Sequence, residues 1–121
     1  GTGGTQRLAR ALGRARAFEL MATGRTFSFE DARELGLVHQ VFEAAEFDAK
    51  VEQYAAQFLP PSHASKAVGL IKRAVVSGLE ASFTEGLALE RELQQRLFES
   101  DDAREGLSAY VERRPPQFTG R

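Results

Sequence analysis

Three proline or glycine stops and a run of apolar residues at helical spacing leave the part of this chain after residue 46 little choice but helix. Phe47, Val51, Tyr54, Ala55 and Phe58 fall at i, i+4, i+7, i+8 and i+11. A period of 3.6 residues gathers these on one side of a helix, whereas a strand would scatter them over both faces. Pro60-Pro61 ends that stretch, because proline removes a backbone donor and clashes with the preceding turn. Ser62 opens a second helix, with Ala64, Val68, Ile71 and Val75 on its apolar face and Gly78 at its close. A third begins on a full capping box, Ser82 to Glu85, and carries Phe83, Leu87, Leu89, Leu93, Leu97 and Phe98. The last runs from about Asp102 to Arg114, with Ala103, Leu107, Tyr110 and Val111 on one face, until Pro115-Pro116 stops it. The tail Gln117 to Arg121 reads as loose.

Shorter helices precede these. Gln6 to Leu12 stops at Gly13, and Ala15 to Thr23 ends where Gly24 suits a left-handed cap. Ser28, with Asp31 three residues on, caps a third that ends at Gly36. Only Leu37 to Phe42 breaks the pattern. Its β-branched and aromatic residues put Val38, Gln40 and Phe42 on one face, as in a short strand or extended connector. The fold class is therefore all-α with one short extended segment near 37–42. No internal repeat or low-complexity tract divides the chain.

Composition narrows the function classes. A net charge of −1 gives no general pull toward nucleic acid or an anionic membrane. Without cysteine there is neither a disulfide nor a thiolate metal site, and His39 and His63 are too far apart in sequence to suggest zinc. No metal site is expected. No apolar run approaches the roughly 18 residues of a membrane span, so no membrane partner is expected and a cytoplasmic location is the default.

Four features could carry chemistry. Gly1-Thr2-Gly3-Gly4 ahead of a helix could let backbone amides approach an anion, or could simply be a tight turn. It lacks the lysine of a P-loop and fails the dinucleotide fingerprint. Glu90, between Leu87 and Leu93, is the best placed carboxylate for acid–base work, although Arg7, Arg73 or Arg96 could pair with it instead. Glu80, Glu92, Glu99, Asp101 and Asp102 read as solvated or capping charges. Tyr110 and Arg113 are three apart, so on a helix they share a face and could stack a nucleobase and hold a phosphate; equally, Tyr110 could pack on Leu107 and Val111. Finally, Phe27 to Val38 resembles the opening of a helix-turn-helix, but the segment that would read DNA, Val38 to Phe47, holds Glu43 and Glu46 and no Lys or Arg.

Taken in order, Gly1-Thr2-Gly3-Gly4-Thr5-Gln6-Arg7-Leu8, Gly13-Arg14-Ala15-Arg16-Ala17, Thr23-Gly24-Arg25, Phe29-Glu30-Asp31-Ala32 and Leu35-Gly36-Leu37-Val38 resemble the crotonase family of enoyl-CoA hydratases and isomerases. The resemblance continues through Ser100-Asp101-Asp102-Ala103-Arg104-Glu105-Gly106-Leu107 and Ala109-Tyr110-Val111-Glu112-Arg113-Arg114-Pro115. It implies an acyl-CoA enzyme with an N-terminal spiral of ββα turns and a C-terminal helical region. Residues 1–42 would be the last part of the spiral core and 43–121 the helical, trimerisation-type region. The oxyanion hole and the two water-activating glutamates of hydratases would lie upstream of Gly1, so no catalytic residue is expected here. Gly1 matches a glycine whose amide lies near the reacting acyl group and water. Tyr110 matches a position, usually Phe, beside the CoA nucleotide, and Arg113 a basic position that contacts CoA.

The resemblance implies hydration of a trans-2-enoyl-CoA or a double-bond shift, with the CoA thioester as substrate and no cofactor. It also implies a homo-oligomer, a trimer or dimer of trimers. The chain by itself is expected to be inactive and to expose apolar helix faces. The rival readings are a helical interaction or oligomerisation module and a helix-turn-helix DNA-binding domain.

Overall fold

The computed structural model describes residues 2–121. Among them are seven α-helices, one turn of 3-10 helix at Ala44–Glu46 and no strand. The chain forms two compact units, Gly1–Phe47 and Asp48–Arg121.

The first unit holds α1 (Gly4–Leu12), α2 (Arg14–Thr23) and α3 (Phe29–Glu34). Helix α1 packs against α2, whose Ala17 and Leu20 are buried. Gly24 ends α2 in the left-handed region, at φ 62°, with its N–H on Leu20 O. A residue with a Cβ meets a steric cost there that glycine does not. Helix α3 starts on the expected capping box: Asp31 N–H donates to Ser28 Oγ and Ser28 N–H to Asp31 Oδ2, both at 3.0 Å. The segment after it differs from the strand alternative. Leu37 N–H turns back to Ala32 O, and residues 38–43 carry neither helix nor ladder. β-Branched residues favour a strand only when a neighbouring strand takes up their backbone groups. The helix-turn-helix alternative finds no support here: of its reading segment, Val38 to Phe47, residues 38–43 carry no helix and Ala44–Glu46 only one 3-10 turn.

The second unit contains α4 (Phe47–Ala56) from Asp48 onward, α5 (Ser65–Leu79), α6 (Phe83–Phe98) and α7 (Asp101–Glu112). Helix α4 stops at Ala56, so Phe58 lies in the following turn, where its ring meets Tyr54 edge-on at 5.4 Å. The α5 start is Ser65 rather than Ser62, with Ala64 at the cap position. Helices α5 and α6 form the main packed pair. The capping box at the start of α6 is present as expected, with Glu85 N–H on Ser82 Oγ at 3.3 Å and Ser82 N–H on Glu85 Oε2 at 2.9 Å.

Packing uses a narrower face than the stripes suggest. Leu93 is the buried side chain of α6. On α5 the half-buried positions are Ser65, Ala67, Val68, Leu70, Ala74 and Gly78, which recur at intervals of one to four residues and include four small ones. A Cβ placed on Gly86 would sit 3.6 Å from Gly78 O, so the two helices approach closely there. The larger residues Ile71, Val75, Leu79 and Phe83 stay exposed, and they rim an open groove of about 590 Å³ floored in part by Leu93.

The tail is not loose, contrary to expectation. Phe118 N–H donates to Pro61 O at 3.2 Å, and the Phe118 ring lies against Gly106. Thr119 and Gly120 donate to the carboxylate of Asp102, and Asp102 N–H donates to an Arg121 backbone oxygen at 2.9 Å. Gly120 has φ 83°, and a Cβ there would lie 2.5 Å from Ser65 Oγ. Asp102 is thus a buried anchor, 3% exposed, and not a solvated charge. Three donors from a returning segment offset the cost of removing a carboxylate from water.

Candidate functional site

The candidate site is the C-terminal end of α7, and the helix is built to hold it. Ser100 caps α7, its Oγ accepting from Ala103 N–H at 3.1 Å and donating to Leu97 O at 2.6 Å. Asp102 in the first turn complements the positive helix end. Burial works against its charge, but the Thr119 and Gly120 amides and the Thr119 hydroxyl outweigh it and hold the carboxyl below the usual 3.8.

At the other end the helix stops at Glu112, short of the Arg114 expected, and Arg113 takes the left-handed conformation, φ 56° and ψ 38°. Arg113 N–H donates to Tyr110 O at 3.3 Å and Arg114 N–H to Ala109 O at 3.0 Å. These are the two bonds of a Schellman turn. Tyr110 and Arg113 are therefore not neighbours on a regular helical face; a backbone turn joins them. Tyr110 is 84% exposed, so the alternative in which its ring packs on Leu107 and Val111 is not what the helix adopts.

Two adjacent arginines have opposite fates. Arg114 is committed: its Nη1 and Nη2 fork onto the two Glu105 oxygens at 2.6 and 2.8 Å, and its Nε meets Glu112 at 2.6 Å. Among the described residues, no ion pair includes Arg113. Glu105 also accepts from Gln117 N–H at 2.7 Å. The Arg114 hydrogen bonds first, and the Gln117 amide second, hold the Glu105 carboxyl down at about 2. The Glu105 carboxylate first, and the Glu112 carboxylate second, raise Arg114 above its ordinary value.

A pH dependence follows. Because its folded value is depressed from 4.5, Glu105 contributes stability that is complete above about pH 4.5 and lost as pH falls toward 2. Urea midpoints measured across that window should fall with acid, and Glu105→Gln should flatten the slope. An unchanged slope in the variant would contradict the pairing.

Gly1 lies outside the described residues. Glu90 is exposed at the α5–α6 groove, and among the described residues no ion pair includes it. Arg96 pairs with Glu92 instead, at 3.6 Å. His39 is exposed, and the His63 ring stands 6.4 Å from that of Phe58. Sequence reading missed Ser100, Glu105 and Arg114 as a supporting frame. The serine-before-acid cap was a usable signal for the first. A pair nine residues apart carries none, since it is neither i,i+3 nor i,i+4.

An all-helical chain with an exposed ring and an unpaired cation at one helix end is, by shape alone, common to many functions. Comparison with known proteins is decisive about family. The sequence model of the enoyl-CoA hydratase/isomerase family matches residues 1–121, and the chain belongs to that family. The chain is 40% identical over 121 residues to a probable enoyl-CoA hydratase, echA8, of Mycobacterium tuberculosis, covering all of this chain and 46% of that protein. It is 38% identical over 120 residues to the putative enoyl-CoA hydratase/isomerase YngF of Bacillus subtilis, covering 99% of this chain and 45% of that one. The crystal structure of an enoyl-CoA hydratase from Bacillus anthracis superimposes with a TM-score of 0.81 at 36% identity, over 100% of this chain and 46% of that one. The chain thus spans about half the length of the relatives it matches. No helix among the described residues is long and apolar enough to cross a membrane.

Proposed function

We propose that this chain is the C-terminal helical part of an enoyl-CoA hydratase/isomerase acting on acyl-CoA thioesters. In the whole protein it would complete the acyl-CoA site and supply contacts to the CoA nucleotide. Residues 1–42 would close the spiral core, and 43–121 would form the helical region that assembles copies into a trimer or a dimer of trimers. The reaction is addition of water to a trans-2-enoyl-CoA, or a double-bond shift through the same thioester enolate. The CoA thioester is substrate, and no cofactor is required.

The observation that carries the ligand reading is the end of α7. Tyr110 offers an exposed ring on which an adenine can stack, and Arg113 is a cation on a fixed backbone turn with no carboxylate partner to displace among the described residues. Arginine at a left-handed position costs roughly 1–2 kcal/mol that glycine would avoid. Strain of this kind clusters at functional sites. Gly1 is assigned an amide beside the acyl group by family resemblance alone. The acid–base chemistry is assigned to carboxylates outside this chain, since Glu90 has the exposure of a surface residue. The exposed apolar rim of the α5–α6 groove supports an assembly role for the same helices.

Crotonyl-CoA hydration tests this. Residues 1–121 alone should give no turnover above background, and the full-length protein should be active. In the full-length protein, Tyr110→Ala should raise KM about tenfold with little change in kcat, as loss of one base–aromatic stack predicts. Turnover by residues 1–121 alone, or an unchanged KM in the variant, would sink the assignment.

A further inference from the structure

We infer that Glu105 and Arg114 are positioning residues for the CoA-binding cation: their forked pair holds the left-handed turn that presents Arg113. The inference rests on the Arg113 reading above and adds a mechanism to it.

Among the described residues Arg113 is the one non-glycine with positive φ. Such a conformation persists only when its surroundings over-determine it. Here the constraint comes from both sides. Before it, the Arg113 and Arg114 amides are bonded to Tyr110 O and Ala109 O, and Ala109 is buried. After it, the Arg114 guanidinium reaches back two turns to Glu105 and also takes Glu112. Glu105 in turn receives Gln117 N–H, so residues 114–117 are folded against the helix. The chain cannot relax Arg113 into a helical or extended conformation without parting that fork. A forked guanidinium–carboxylate pair fixes direction as well as distance, which a lysine cannot do.

The arrangement also sorts the charges. Glu105 and Glu112 stand within reach of any anion at the end of α7, and both are turned onto Arg114. Arg113 is left as the cation that meets a phosphate.

Glu105→Gln separates this idea from simple electrostatics. The substitution removes a negative charge near the site, so the field alone would tighten binding of CoA. Loss of positioning does the opposite. In the full-length protein, KM for a short trans-2-enoyl-CoA should rise about tenfold, the scale of one charge-assisted phosphate contact. With the corresponding enoyl-pantetheine thioester, which lacks the nucleotide, KM and kcat should not change. A KM for the CoA ester that is unchanged or lower overturns the inference. So does an equal loss with both substrates, which marks a general folding defect.

Arg113→Gly keeps the idea testable should Glu105→Gln fold poorly. Glycine takes the left-handed turn without help, so in that background Glu105→Gln should fold and cause no further rise in KM. Full additivity of the two effects would show that Glu105 does not act through Arg113. If Arg113→Gly itself leaves KM for the CoA ester unchanged, the CoA reading of Arg113 fails. If it raises KM while Glu105→Gln does not, only the positioning role fails.

Discussion

Replacing Asp102 by alanine is expected to destabilise the Asp48–Arg121 unit by about 3 kcal/mol, as unsatisfied buried donors typically cost about 1–3 kcal/mol each. The carboxylate is 3% exposed and takes Thr119 N–H at 2.7 Å, Thr119 Oγ1–H at 3.2 Å and Gly120 N–H at 2.7 Å. Alanine leaves these part-buried donors without their acceptor. The tail then has to leave its place beside Pro61 and Ser65 to find water. Asp102→Asn should fall between the two, because it keeps one acceptor oxygen and turns a donor toward the other amide. Urea unfolding gives the stability, and limited proteolysis between residues 115 and 121 reports release of the tail. An alanine variant within about 0.5 kcal/mol of the natural protein, the scale of an ordinary surface substitution, its tail still resistant, would show that the anchor is dispensable.

Leu93→Ala should cost a similar amount, about 3 kcal/mol, within the usual range for a leucine truncated in a core. Leu93 is 3% exposed and lies on the floor of the α5–α6 groove. The close Gly78–Gly86 crossing limits collapse of the helices onto the space it leaves. Phe83→Ala is the informative contrast. Phe83 is 81% exposed, so its loss should change the stability of residues 1–121 little, yet it should weaken association in the assembled protein. Equal effects of the two substitutions on the unfolding of residues 1–121 would mean that the groove is closed by contacts other than those described.

Most helix ends were legible because they are set locally. Ser28 with Asp31, and Ser82 with Glu85, exchange hydrogen bonds over three residues, and any chain with those residues can make them. The α4 and α5 boundaries moved by a few residues, since no strong cap marks them. The ligand-binding expectation at Tyr110 and Arg113 came from their i,i+3 spacing and, more strongly, from family resemblance, and only the left-handed turn shows how the two are linked. The apolar stripes told which residues are unsuited to water. They did not tell which of them this chain buries itself, and Ile71 and Val75 proved to lie outside its own packing.

The sequence by itself determined the helices, the two capping boxes and the family, because these depend on neighbours within a turn or on ordered motifs. The tertiary structure decided the fate of the charges. Asp101 and Asp102 are the same residue type side by side, yet one is exposed and the other anchors a segment 17 and 18 residues away. Arg113 and Arg114 divide in the same way, one unpaired and one forked onto Glu105. Side-chain chemistry alone cannot separate the members of either pair. The separation comes from which backbone folds back to meet them, and that is a long-range property of the packed chain.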